Sequence, residues 1–167
     1  ILLAGLYTNE TTTIIEPEPT RNHTELMLQS MGAKIKHANN NIHIEPSSAL
    51  EPISLTIPGD ISSAAPWLVL GACHPNAEIQ VQKVGTNSTR TGLLDILIRM
   101  GAQLEIEKIA DSEIEPMSNL LIRTSQLIGT TIAGEEIPRA IDELPLIALL
   151  GCYAEGQTIV RDAQELR

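Results

Sequence analysis

Residues Pro58–Pro75 read PGDISSAAPWLVLGACHP. Pro58 and Gly59 interrupt the chain, and Asp60 and Ser62 offer oxygens to the unbonded N–H groups of a first helical turn. An apolar run of helix length follows from Ala64. The stretch therefore predicts a turn leading into a helix whose positive end faces whatever lies above the turn. Such an end is satisfied by its own cap or by an anion. What gives the stretch its weight is that the pattern around it recurs.

An apolar helix, a turn, a strand and then an Arg occur three times. The first set is Ile1–Tyr7, Thr11–Glu16 and Arg21. The second is Ala64–Cys73, Glu78–Val84 and Arg90. The third is Leu144–Tyr153, Thr158–Asp162 and Arg167. The spacing from Arg21 to Gly32 in Met31-Gly32-Ala33 is repeated from Arg90 to Gly101 in Met100-Gly101-Ala102. Helical patterns fill both intervals, and each Gly falls where a left-handed cap ends a helix. Alternating segments follow, Lys34–His37 with Asn41–Glu45 and Gln103–Glu107 with Leu120–Arg123, and these predict paired strands. The repeat is thus helix–strand–(loop with Arg)–helix–strand–strand. At about seventy residues it exceeds the common solenoid periods. Each copy needs neighbours to cover its apolar faces. The first copy is cut at its start and the third at its end, so the chain reads as a piece of something longer. Pro46–Ser54, rich in Pro and Ser, is a candidate join between domains, and Lys108–Ser118 reads as a surface loop.

Composition narrows the function. Of 167 residues 43% are apolar and 19% charged, as in an ordinary globular protein, but one Trp, two Tyr and no Phe leave the core to aliphatic side chains. So few aromatics do not provide platforms for base stacking, and a net charge of −10 opposes binding to nucleic acid or an anionic membrane. A small anion remains compatible, because a few local guanidinium groups suffice to hold it. Cys73 and Cys152 lie in apolar runs without paired spacing and read as free thiols, and the four His have no metal-ligand spacing. No run is long enough to span a bilayer.

Two places could carry chemistry. Thr20 and Arg21 sit between a strand and a helix start, where a guanidinium suits a phosphate or carboxylate or else ties the loop to a carbonyl. Asp142 and Glu143, in IPRAIDELP, stand at the head of the third apolar helix. Aligning Gly151 with Gly71 places Asp142 at the position of Ser62. Asp142 is then either a cap or a carboxylate that orients a hydroxyl and takes its proton, and Glu143 is either a partner to the helix dipole or surface decoration.

The stretches EPTRNHTELML (18–28), PGDISSAA (58–65), NSTRTGLLDIL (87–97), RMGA (99–102), IPRAIDELPLIALL (137–150) and RDAQELR (161–167) together resemble the 5-enolpyruvylshikimate-3-phosphate synthase family over essentially the whole chain. The resemblance implies an α/β enolpyruvyl transferase-like fold of repeated β-α-β-α-β-β units with buried helices and outer sheets. Residues 1–56 would end one domain and 57–167 begin the second. It implies transfer of the enolpyruvyl group of phosphoenolpyruvate to the 5-hydroxyl of shikimate 3-phosphate, in the shikimate pathway of aromatic amino-acid biosynthesis. No metal or organic cofactor takes part, and the implied enzyme is cytoplasmic and monomeric.

By motif, Arg21 and the neighbouring Thr20 match ligands of the shikimate phosphate. Asp142 matches the carboxylate that holds the substrate hydroxyls and accepts the proton. Arg90, Asp60 and Ser62 fall at recurrent positions and read first as structural, as does Glu143 beside Asp142. The family's Lys-Ser, Ser-Ala-Gln and Lys-Glu segments are absent from these residues, so the segment alone is expected to show no turnover. Pro66-Trp67 and Asn87-Ser88 depart from the usual residues without touching a matched ligand. The alternatives are the sister family acting on UDP-N-acetylglucosamine, and a non-catalytic repeat module.

Overall fold

A computed structural model describes residues 1–17, 20–109 and 114–164. The chain forms two compact units, Ile1–Ile57 and Pro58–Arg167.

The first unit opens with the short helix α1 (Leu2–Gly5) and strand β1 (Thr12–Ile15). Helix α2 (His23–Ser30) follows, then strands β2 (Ile35–Ala38) and β3 (Asn41–Ile44). The sheet has the order β1-β3-β2, with both pairings antiparallel. Gly32 ends the α2 turn at φ 89°, a conformation that glycine adopts without a Cβ penalty. Leu28, Ile42 and Ile44 form the centre of a small aliphatic core. Pro46–Ser54 is not a free linker: Ser47 N–H donates to the Leu6 carbonyl (3.0 Å), Glu51 N–H to that of Met31 (2.8 Å), and Leu50 packs on the core. The segment is strapped to its unit because its backbone groups find partners there.

The second unit repeats the plan at larger scale. Helix α3 (Ile61–Cys73) leads to β4 (Glu78–Gly85), α4 (Gly92–Arg99), β5 (Gln103–Lys108) and β6 (Met117–Arg123). The order is β4-β6-β5, again antiparallel throughout, so first strand, last strand and middle strand take the same places as in the first unit. Gly101 caps its helix at φ 86°, as Gly32 does. A second helical layer comes from β7 (Thr131–Ile132), α5 (Glu136–Ala140), a single 3-10 turn (Ile141–Glu143), α6 (Leu144–Tyr153) and β8 (Ile159–Val160). The two short strands pair in parallel. Arg167, the third repeated Arg, lies outside the described residues.

The core of this unit is aliphatic, with Leu68, Leu93, Leu97, Leu120, Ile122 and Ile147 fully buried. Gly71 lets α3 lie close on the sheet, since a Cβ there would collide with the Ile122 side chain. The runs Ala64–Cys73 and Leu144–Cys152 have almost no polar face, which predicts largely buried helices. The structure buries one side of each. Ala64, Ala65, Leu68 and Ala72 face the core from α3, and Leu144, Ile147 and Leu150 from α6. Trp67, Leu70, Leu149 and Tyr153 are exposed. The sheet and the neighbouring helix cover these helices on one side, and no described element of the unit covers the other.

Strand β4 carries a bulge between Val81 and Val84, with Lys83 at φ 54°. Its kink brings the Lys83 carbonyl to Gly59 N–H (2.7 Å), while Gly85 N–H donates to the Gly59 carbonyl (2.8 Å). The turn before α3 is thereby pinned to the sheet.

Candidate active site

Asp60 follows that pinned turn, and its extended backbone (φ −74°, ψ 127°) makes it the N-cap of α3. One carboxylate oxygen accepts from both the N–H and the hydroxyl of Ser63 (3.0 Å each). The other faces Arg90 Nη2 at 3.3 Å. Partial burial pushes this carboxyl up. The Ser63 hydroxyl, the backbone N–H groups of Ser62 and Ser63 and the Arg90 guanidinium outweigh it, and the net result lies below the ordinary carboxylate value.

Arg90 enters from the loop between β4 and α4. Asn87, itself buried, shapes that loop: its Oδ1 accepts from Thr89 N–H (3.0 Å) and the Thr89 hydroxyl (2.7 Å), and its carbonyl accepts from Arg90 N–H (2.8 Å). Such an Asx turn is a local property of Asn followed by a short polar loop. The Arg90 side chain is only 18% exposed, and its Nη2 meets three acceptors: Ser62 Oγ at 2.6 Å, Asp60 Oδ1 at 3.3 Å and, as an ion pair, Asp142 Oδ2 at 3.8 Å.

Asp142 and Glu143 belong to the 3-10 turn before α6, and they face different surroundings. Asp142 is half exposed, whereas Glu143 is 3% exposed and its Oε1 accepts the Ser62 hydroxyl at 2.5 Å. Glu143 is thus an interior group and not surface decoration. The turn places it where its carboxylate reaches back to α3, and burial requires such a partner. The N-cap position of α6 is Glu143, with no side-chain cap bond, so Asp142 sits within the 3-10 turn and not at the cap.

Arg90, Asp60, Ser62, Asp142 and Glu143 therefore form one cluster of three carboxylates and one guanidinium. Arg21 and Thr20 belong to the first unit. There Arg21 lines an open cavity of about 300 Å³ with Glu16, Thr24 and Glu25, and the Thr20 hydroxyl donates to Glu16 Oε1 (2.6 Å).

Arg139 escapes the sequence reading. Its Nε donates to the Ser88 carbonyl (2.8 Å), and its Nη2 reaches the Thr91 hydroxyl (3.0 Å) and Asp95 (2.6 Å). It ties the Arg90 loop to the segment that carries Asp142. The available signal was an Arg just ahead of the IDE turn, and nothing local says that it points across to α4. Among the described residues no group of three or more His, Cys, Asp or Glu could hold a metal ion, and no helix is long and apolar enough to cross a membrane.

A family model described as EPSP synthase (3-phosphoshikimate 1-carboxyvinyltransferase) matches residues 1–167. A 3-phosphoshikimate 1-carboxyvinyltransferase of Bacillus subtilis is 48% identical over 167 residues, all of this chain and 39% of the relative. One from Thermotoga neapolitana is 47% identical over 168 residues, with the same coverage. Among solved structures, EPSP synthase from Acinetobacter baumannii superposes with a TM-score of 0.91 at 40% identity, over 99% of this chain and 38% of that one. The enolpyruvyl transferase NikO from Streptomyces tendae shares the fold, with a TM-score of 0.71 at 24% identity over 97% of this chain and 38% of that one. The chain spans about two fifths of the length of the curated relatives it matches.

Proposed function

From the membership of this chain in the EPSP synthase family, to which it belongs across residues 1–167, we propose that the complete protein transfers the enolpyruvyl group of phosphoenolpyruvate to the 5-hydroxyl of shikimate 3-phosphate. The C–O bond forms at C2 of phosphoenolpyruvate as C3 takes a proton. The tetrahedral adduct then loses phosphate and returns a proton from C3, so no electrons are gained or lost overall. In this reading Asp142 orients the substrate hydroxyl and accepts its proton, and Arg21 with Thr20 holds the shikimate phosphate. Residues 1–56 end one domain, and 57–167 begin the other. The enzyme is monomeric and cytoplasmic, with two small anions as its partners and neither nucleic acid nor membrane.

The observation that carries the assignment of Asp142 is its contrast with Glu143. Two adjacent carboxylates leave one turn, one buried on a hydroxyl and one half exposed beside a guanidinium. A proton acceptor has to reach its substrate, and the half-exposed carboxylate is the one placed to do so. Asp60 instead spends one of its oxygens on its own helix.

Product analysis on the complete protein tests the reading. Shikimate 3-phosphate with phosphoenolpyruvate should give enolpyruvylshikimate 3-phosphate and inorganic phosphate in equal amounts. Turnover only with UDP-N-acetylglucosamine as acceptor would assign it to the sister chemistry.

A further inference from the structure

We propose that Ser62, oriented by buried Glu143, is a positioning residue: it parks Arg90 beside Asp142, and the cluster acts on the reaction through that one carboxylate. The inference rests on the reading of Asp142 given above.

The direction of each hydrogen bond follows from what each group can do. A guanidinium N–H only donates, so Ser62 Oγ must accept from Arg90 Nη2 at 2.6 Å. The hydroxyl then has one proton left to give, and Glu143 Oε1 at 2.5 Å receives it. Were Glu143 unable to accept, the Ser62 proton would lose its acceptor, and Oγ would no longer be fixed in the orientation that receives the guanidinium. Glu143 is 3% exposed, so water does not replace it as the acceptor.

Arg90 cannot hold Asp142 equally well by itself. Its Nη2 stands 3.8 Å from Asp142 Oδ2, beyond hydrogen-bond length, and 3.3 Å from Asp60 Oδ1. Two carboxylates compete for one nitrogen. Without the Ser62 contact, the guanidinium would be drawn onto Asp60, which is nearer, and away from Asp142. The short bond to Ser62 is the third anchor that fixes the nitrogen between them. Asp142 in turn is linked to Glu143 by a single peptide bond within one 3-10 turn. The loop closes on itself: Glu143 directs Ser62, Ser62 holds Arg90, and Arg90 faces the carboxylate next to Glu143.

Charge alone does not account for the arrangement. A guanidinium could offset these carboxylates from many places, but a fixed one gives Asp142 a constant electrostatic neighbour. Misplacing a reacting group by about 1 Å can cost roughly a hundredfold in rate. Removal of the Ser62 hydroxyl should therefore lower kcat by about tenfold to a hundredfold while leaving both KM values within about twofold, since ground-state contacts to the phosphate lie elsewhere.

The decisive experiment is a double-mutant cycle in the complete enzyme, with Ser62→Ala, Asp142→Asn and their combination. Ser62→Thr, which keeps the hydroxyl, and a thermal unfolding curve for each variant serve as controls. The proposal expects Ser62→Ala to lower kcat alone and to add nothing further once Asp142→Asn is present, with Ser62→Thr restoring most of the rate. If Ser62→Ala costs the same factor in both backgrounds, or nothing in either, the positioning role is overturned while the assignment of Asp142 stands. If Asp142→Asn keeps a normal kcat, the assignment of Asp142 fails and the positioning role fails with it. Should Ser62→Ala not fold, Arg90→Lys replaces it in the same cycle. Lys keeps the charge but lacks the planar fork, and the same non-additivity with Asp142→Asn is expected, with additivity again overturning the proposal.

Discussion

A Cβ placed on Gly92 would stand 2.8 Å from both the carbonyl carbon and the carbonyl oxygen of Arg139. The first residue of α4 thus lies directly on the backbone that leads into the turn bearing Asp142 and Glu143. Two effects oppose each other in Gly92→Ala. Helix propensity favours Ala by less than the about 0.8–1.0 kcal/mol of a helix interior, since Gly92 is the first helical residue, whereas overpacking a tight contact typically costs about 1–3 kcal/mol. The contact is with backbone, which cannot rotate aside, so the clash should prevail. The urea midpoint of the complete protein should fall. A midpoint that rises would show that α5 yields at little cost.

Asp60 makes stability depend on pH in a defined direction. Its folded-state carboxyl lies below the ordinary value of 3.8, so its contribution is fully present above that value and is lost as pH falls through the folded one. Asp60→Asn has no such carboxyl. The gap in urea midpoint between wild type and Asp60→Asn should hold steady from neutral pH to about pH 5 and then close on further acidification. A gap that persists unchanged at strongly acidic pH would mean that the cap does not depend on ionisation.

Asp142 and Arg21 should separate kinetically in the complete enzyme. Asp142→Ala should lower kcat by about 10²–10⁴-fold, the usual cost of losing a general base, with little change in KM for shikimate 3-phosphate. Arg21→Ala should chiefly raise that KM, because a phosphate clamp is held in ground and transition states alike. Steady-state kinetics on both variants measures the split. A near-normal kcat for Asp142→Ala, with only the thermal midpoint lowered, would make Asp142 a structural residue.

Cys73 offers a chemical probe of the α3 face. Burial pushes its thiol above the ordinary value of 9.0, and the thiolate is the reactive form. Its rate of alkylation by iodoacetamide, followed by peptide mass spectrometry, should still be climbing above pH 9. A plateau below that pH would contradict the burial.

The fold was largely legible because its signals are local. Gly32 and Gly101 announced helix ends, and alternation after each announced the hairpins. Both occur where expected, at φ 89° and 86° and in two antiparallel pairs. The position of Asp142 at a helix head was also visible, and its resemblance to a family motif supplied a role that spacing could not. Less legible were contacts made across the chain. Glu143 looks like any carboxylate near a helix start until α3 brings Ser62 against it, 81 residues away in sequence. Arg139 looks like a surface cation until it meets Ser88 and Asp95. The half-exposed faces of α3 and α6 were unreadable for a different reason: an apolar surface states that it should be covered, but not by which element.

The strand order of the second sheet implies an order of assembly. Arg123 on β6 pairs with Glu105 on β5, 18 residues away, and with Glu78 on β4, 45 residues away. By the loop-closure relation the longer connection costs about 0.8 kcal/mol more in chain entropy, before α4 is counted. Chain entropy therefore favours closing the β5–β6 pair before β4 adds to its edge. Because β4 carries the bulge that pins Gly59, the turn that presents Asp60 and Ser62 depends on β4 being in place. The cluster around Arg90 is then tied to the docking of β4, and its geometry is lost when β4 detaches.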